Sequence, residues 1–227
     1  MSQEQWTAVD SYITGLLVRG DPALDGALER SAGAGLPQIH VSPNQGKLLQ
    51  LLAQSQKAAK ILEIGTLGAY STIWLARALP PAGRLITLEY EPKHAEVARA
   101  NIAAAGLKDV VELRLGRAID LLPQLLAEGA GPFDFIFIDA DKQSYPEYFA
   151  WALKLSRKGS VIIADNVVRK GGVIEANSGD HLVQGVRRMN ELVAREPRVS
   201  ATAVQTVGSK GYDGFMLAIV NSAHGAA

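Results

Sequence analysis

From Lys60 onward, short apolar runs alternate with longer amphipathic ones along the chain. The runs "KILEIG", "RLITLE", "VVELRLG", "FDFIFID" and "SVIIADN" have strand length and are rich in branched side chains. Between them lie segments of helical period: Ser71 to Leu79, Lys93 to Ala105, Ile119 to Ala127, Tyr145 to Leu155 and, after the last, Val183 to Ala194. Strands that are apolar on both faces and separated by helices predict a parallel sheet covered on both sides. The tail departs from this rule. "SATAVQTV" and "FMLAIV" are separated only by "GSKGYDG", too short for a helical crossover, so they predict an antiparallel pair at one edge. That makes seven strands.

Ahead of Lys60 the pattern is helical. Trp6, Val9, Ile13, Leu16 and Leu17 fall on one helical face, and Asp21-Pro22 and Ser42-Pro43 each place Pro at a first helical position behind a capping residue. The chain thus divides into a helical preface over 1–57 and an α/β core over 58–227, read as a single domain of 227 residues. "RKGGVIEANSGD" is the one long glycine-containing loop, a length often associated with function.

Composition narrows the partners. With 23 basic and 23 acidic residues, no charge excess suggests nucleic acid. The lack of Cys removes thiolate metal sites and fits a reducing compartment. The N-terminus lacks a basic start followed by a long apolar run, so the expectation is a cytoplasmic protein with no membrane partner.

In parallel sheets ligands gather at the carboxyl ends of the strands, here marked by Glu63, Glu89, Gly116, Asp139 and Asp165-Asn166. "LEIGTLGAYST" puts Gly65 and Gly68 before a helix start near Ser71, which suits a nucleotide cradle or, more simply, a tight strand-to-helix turn. The spacing is not that of a dinucleotide fingerprint, and Glu63 would repel a pyrophosphate while tolerating a cationic group. Glu89 has two oxygens to offer a ribose. A carboxylate for ribose and another for a cationic amino-acid portion together fit S-adenosylmethionine.

In "FDFIFIDADKQSY" a buried strand ends in two acids and a lysine, and "VIIADN" ends in Asp165 and Asn166. Asp139, Asp165 and Asn166 form a hard oxygen set suited to Mg²⁺, with Mn²⁺ or Ca²⁺ as alternatives, while His40, His94, His181 and His224 are scattered. Lys142 stands three residues beyond Asp139, within reach of a hydroxyl proton.

Collinear with these motifs, "HVSPNQGKLLQLL", "LEIGTLGAYSTIWLARAL", "LITLEYEPKHAEVARANI", "FIFIDADKQSYPEY", "VIIADNVV" and "GSKGYDGFMLAIV" resemble the metal-dependent class I O-methyltransferases. Catechol and caffeoyl-coenzyme A O-methyltransferases and their small bacterial relatives belong to that family. The resemblance implies a Rossmann-like methyltransferase fold: a mostly parallel seven-stranded sheet with an antiparallel edge hairpin, helices on both faces and an N-terminal helical extension.

It implies that Val41, Glu63, Gly65, Thr66, Ser71, Glu89 and Ala118 line the S-adenosylmethionine site, with Asp139 and Asp141 beside it. It matches Asp139, Asp165 and Asn166 to the metal ligands and Lys142 to the catalytic base. It further implies a homodimer and an acceptor that is a small aromatic with adjacent hydroxyls; the Gly171-Gly172 loop and the N-terminal helices are expected to form the substrate lid.

Two departures stand out. Ala69 occupies a position that is usually Gly, and Asp141 replaces the tryptophan found beside the lysine in catechol enzymes, which is nearer the caffeoyl-type and bacterial branch. The competing readings are a nicotinamide-dependent oxidoreductase, which the glycine spacing disfavours, and an S-adenosylmethionine-binding protein without turnover.

Overall fold

The computed structural model describes residues 2–222, so Met1 and residues 223–227, His224 among them, lie outside the described residues. Three helices lead: α1 (Gln3–Leu17), α2 (Pro22–Gly33) and α3 (Pro43–Ser55). Ser2, Asp21 and Ser42 cap them by accepting from backbone N–H groups of the first turn, and the expected Pro residues open α2 and α3.

The alternating part follows as β1 (Lys60–Ile64), α4 (Tyr70–Ala76), β2 (Arg84–Glu89), α5 (Pro92–Ala104), β3 (Val111–Leu115), α6 (Ala118–Ala127), β4 (Phe133–Ile138), α7 (Tyr145–Lys154), β5 (Ser156–Asp165) and α8 (His181–Arg195). Strands β6 (Val199–Gly208) and β7 (Gly211–Val220) end it. The seven strands form one sheet in the order β3-β2-β1-β4-β5-β7-β6, parallel through β5 and antiparallel at β7 and β6. Among the described residues no helix is long and apolar enough to cross a membrane.

The sheet is the one the pattern predicts, with one difference in the tail, and the long glycine-containing loop opens with a 3-10 turn over Arg169–Ile174. The loop expected over "GSKGYDG" shrinks to Ser209-Lys210, because Gly208 pairs with Gly211 and the ladder continues through Val207 and Tyr212. Gly211, at φ +96, takes the left-handed turn that permits this.

Apolar side chains fill both sheet faces. Leu62, Ile64, Ile136 and Ile138 pack with α6, α7 and α8, whereas Ile61, Phe135 and Phe137 pack with the α3–α4 side. Strand order reverses between β1 and β4, and there the two tips nearly touch. A Cβ on Gly65, at φ +101, would sit 2.1 Å from the Asp139 carbonyl oxygen. Glycine is required at that point both for its backbone angle and for its bulk.

Candidate active site

Strand order reverses beside a cavity of about 840 Å³ at the carboxyl ends of β1, β2, β4 and β5, within the size range of small-molecule sites. Val41, Gly65, Thr66, Ser71, Glu89, Ala118, Asp139, Asp141, Lys142 and Asn166 line it, so ten of the twelve residues singled out in the sequence meet in one place. Glu63 and Asp165 are buried just behind its wall.

Glu63 is fully buried at the end of β1, where Ser71 donates at 2.6 Å and Thr87 at 2.7 Å, and Thr72 donates as well. Thr66 and Thr87 are joined in turn by their hydroxyls. Burial pushes the Glu63 carboxyl up to about 7, against these three donors. The resemblance places Glu63 beside the ligand; in the structure it stands behind the cavity wall, with the Ser71 hydroxyl between it and the cavity.

Glu89 faces the cavity and also ties the loops around it. One carboxylate oxygen accepts from the Thr66 and Leu67 backbone N–H groups at 3.2 and 2.7 Å, the other from Tyr90 and Glu91 at 3.0 and 2.9 Å. The glycine turn is clamped from the opposite side by buried Asn101, whose amide donates to the Gly68 carbonyl at 2.8 Å. Ala69, where the resembling family has Gly, takes a left-handed φ of 65 as it opens α4. A non-glycine residue there costs roughly 1 kcal/mol, which these clamps offset.

Across the cavity, Lys142 Nζ donates to Asp139 Oδ1 at 2.7 Å and lies 4.9 Å from the centre of the Tyr145 ring. Tyr145 is buried, and its hydroxyl donates to the Asp165 carbonyl at 2.8 Å, bracing the β4 and β5 tips. Asp165 Oδ1 accepts from the Asn166 N–H at 2.8 Å, and Oδ2 accepts from Gln45 Nε2 at 2.7 Å. Burial, and then the charge of Asp139, push the Asp165 carboxyl up to about 7. Asp141 accepts from the Ser144 and Tyr148 hydroxyls.

The donor set at these tips fits a hard divalent cation. Two carboxylates disfavour each other's charge, and Asn166, bent to φ 57, adds an amide at the cavity wall. Among the described residues no three acidic, His or Cys side chains are placed to hold a metal ion together, so the amide is needed to complete a three-ligand set.

Gln45 and Tyr145 escaped the sequence reading as site residues. Gln45 lies 120 positions from its partner, and no local pattern marks it. Tyr145 carried a signal, since it closes the quoted strand-tip stretch.

Fold and cavity together define an α/β protein with a cavity of small-molecule size at strand tips rich in carboxylates. The family model described as O-methyltransferase matches residues 21–219. The chain is 59% identical over 220 residues to the catechol O-methyltransferase of Niastella koreensis, covering 97% of this chain and all of that one. It is 52% identical over 212 residues to the catechol O-methyltransferase of Mycobacterium tuberculosis, covering 93% and 94%.

Among solved structures, the O-methyltransferase from Bacillus cereus in complex with SAH superposes with a TM-score of 0.96 at 61% identity, covering 97% and 100%. TomG from Streptomyces achromogenes in complex with SAM gives 0.95 at 53%, covering 98% and 100%. The chain belongs to the O-methyltransferase family.

Proposed function

We propose that the protein transfers the methyl group of S-adenosylmethionine to a hydroxyl of an aromatic acceptor bearing adjacent hydroxyls, at a site that takes a divalent cation, Mg²⁺ first. The observation that carries this reading is one cavity lined by Glu89 and Ser71 on one side and by Asp139, Lys142 and Asn166 on the other.

Glu89 and the Gly65 turn would hold the adenosyl portion, and Ser71, backed by Glu63, the amino-acid portion. Asp139, Asp165 and Asn166 would hold the cation, whose charge favours ionisation of a hydroxyl. Lys142 would take the hydroxyl proton. The acceptor oxygen then forms its bond to the methyl carbon as the carbon–sulfur bond breaks. Oxygen, carbon and sulfur must lie in line, and adjacent strand tips make a stiff frame for that alignment.

The ligand-bound relatives support the donor, since they carry SAH and SAM in their complexes. We further read the protein as a cytoplasmic homodimer without nucleic-acid partners. In α1, Val9, Tyr12, Leu16 and Leu17 are exposed, as are Val204 and Val207 of β6, and this apolar surface suits a second copy.

The test is methyl transfer from S-adenosylmethionine to catechols, flavonoid diphenols and hydroxycinnamoyl thioesters, before and after chelation. Monomethyl ethers that disappear with chelator and return with Mg²⁺ are expected. Full activity after metal removal overturns the cation, and no ether from any vicinal diphenol overturns the acceptor class.

A further inference from the structure

At the cation-binding end of the cavity one charged side chain has no role in the reaction just described. Arg169 lines the cavity together with Lys142, Asn166 and Leu182. Its Nε is shielded from solvent and has no hydrogen-bond partner, while the side chain keeps a quarter of its surface exposed, so the terminal nitrogens are the donors a ligand can reach. Its acidic neighbour, Asp213, stands 4.0 Å from the guanidinium, and Asp213 Oδ1 already accepts the Val168 and Arg169 backbone N–H groups at 3.0 and 2.9 Å.

Other arginines are engaged more closely. Arg157 donates to Asp134 at 2.8 Å, and Arg114 to Glu112 at 2.7 Å. A buried donor left unmet is costly, and an arginine presents its donors as a planar fork that matches a carboxylate.

The backbone adds a second observation. Arg169 and Lys170 both sit at φ 54, in the left-handed region that side chains disfavour, and Asn166 three residues earlier is there too, at φ 57. Strain of this kind persists where the surroundings hold it, and it collects at ligand sites. Here the Asp213 carboxylate grips the start of the strained turn and Val167 N–H is fixed to the Gly214 carbonyl at 2.9 Å, so the guanidinium is carried on a braced loop.

We propose that Arg169 is a specificity residue that binds a carboxylate on the acceptor, making vicinal dihydroxy aromatic acids the favoured substrate class. The proposal rests on the methyl-transfer reading above. With the hydroxyls at Asp139, Lys142 and Asn166, the ring lies against the Leu182 side of the cavity and its acid group meets Arg169. One guanidinium with open donors matches one planar carboxylate, whereas a phosphate calls for several converging donors.

The experiment compares 3,4-dihydroxybenzoate, its methyl ester and catechol, by calorimetric binding to the SAH-saturated protein and by methyl-transfer rate. In the unaltered protein the acid is expected to exceed its ester on the order of 10–100-fold in affinity and kcat/KM, the scale of charge-assisted hydrogen bonds. Arg169→Gln should bring the ratio close to one, and Arg169→Lys should keep part of it. Thermal melting reports whether the variants fold; if Arg169→Gln does not, the unaltered protein's ratio and Arg169→Lys decide.

A ratio near one in the unaltered protein, or a ratio that survives in Arg169→Gln, overturns the proposal, as does an equal loss for acid and ester. If catechol and ester are methylated and the acid gains nothing, this inference falls while methyl transfer stands. If the acid binds with an Arg169-dependent preference and no acceptor is methylated, the methyl-transfer reading falls while the carboxylate subsite stands.

Discussion

The two ends of the cavity treat charge in opposite ways. At the Glu63–Glu89 end the protein meets its own carboxylates: three hydroxyls on Glu63 and four backbone N–H groups on Glu89. At the Asp139–Asp165 end Lys142, Gln45 and the Asn166 N–H also reach the carboxylates, yet the two acids still disfavour each other's charge, and a guanidinium nitrogen is left without a partner. The first end is complete before a ligand arrives. The second would be completed by the cation and acceptor proposed for it, which is the arrangement expected where charge must respond during a reaction.

The strongest way to break this contrast is to remove a group from the responsive end. Lys142→Ala should lower turnover by roughly 10²–10⁴, the usual worth of a proton acceptor, while leaving S-adenosylmethionine affinity in place. The check is the rate for acceptors of graded phenolic acidity. A loss no larger for weakly acidic phenols than for strongly acidic ones would mean that Lys142 orients the hydroxyl without taking its proton.

At the completed end the effects should appear in stability. Glu63 is neutral in both folded and unfolded chains below an ordinary carboxyl value of about 4.3. Between that value and about 7 the unfolded chain releases its proton while the folded one keeps it, so stability falls as pH rises through this window. Glu63→Gln should remove roughly 1–3 kcal/mol of that fall, read from urea unfolding at pH 4.5 and 7.5. Asp165, also raised to about 7, adds a slope of the same sign to both proteins, so the difference between them isolates Glu63.

Glu89→Ala releases the 66–67 and 90–91 loops as well as the wall facing the ligand. We expect S-adenosylmethionine binding to weaken by about 1–3 kcal/mol, measured by calorimetry. Unchanged affinity would leave Glu89 a purely structural clamp.

What the sequence made legible was whatever repeats locally. The strand-tip residues could be found because each strand is an apolar run with an abrupt end, and because a parallel sheet sends those ends to one edge. Glu89, Asp139 and Asn166 reach the cavity for that reason. Depth along the strand was not legible: Glu63, one residue short of the β1 end, falls behind the wall, while Asp139, one residue past β4, stands on it. Nor was pairing between distant segments. Gln45 against Asp165, and Arg169 beside a preoccupied Asp213, depend on how α3 and the loop after β5 settle, and nothing periodic marks either position.

The hairpin of β6 and β7 carries a consequence for how the site is assembled. Its tip holds the helical preface: Asp10 accepts from Ser209 N–H at 2.7 Å, Gln3 donates to the Gly208 carbonyl at 2.9 Å, and Lys210 donates to the Gln38 carbonyl at 3.2 Å beside the cavity-lining Ile39 and His40. The first two contacts join residues 199 and 205 positions apart, the longest loops this chain closes among these bonds. Such closures are entropically unfavourable until the intervening chain is in place. Fastening the roof over the strand-tip cleft therefore closes loops that span most of the chain, and the binding site depends on both ends of the sequence being in place at once.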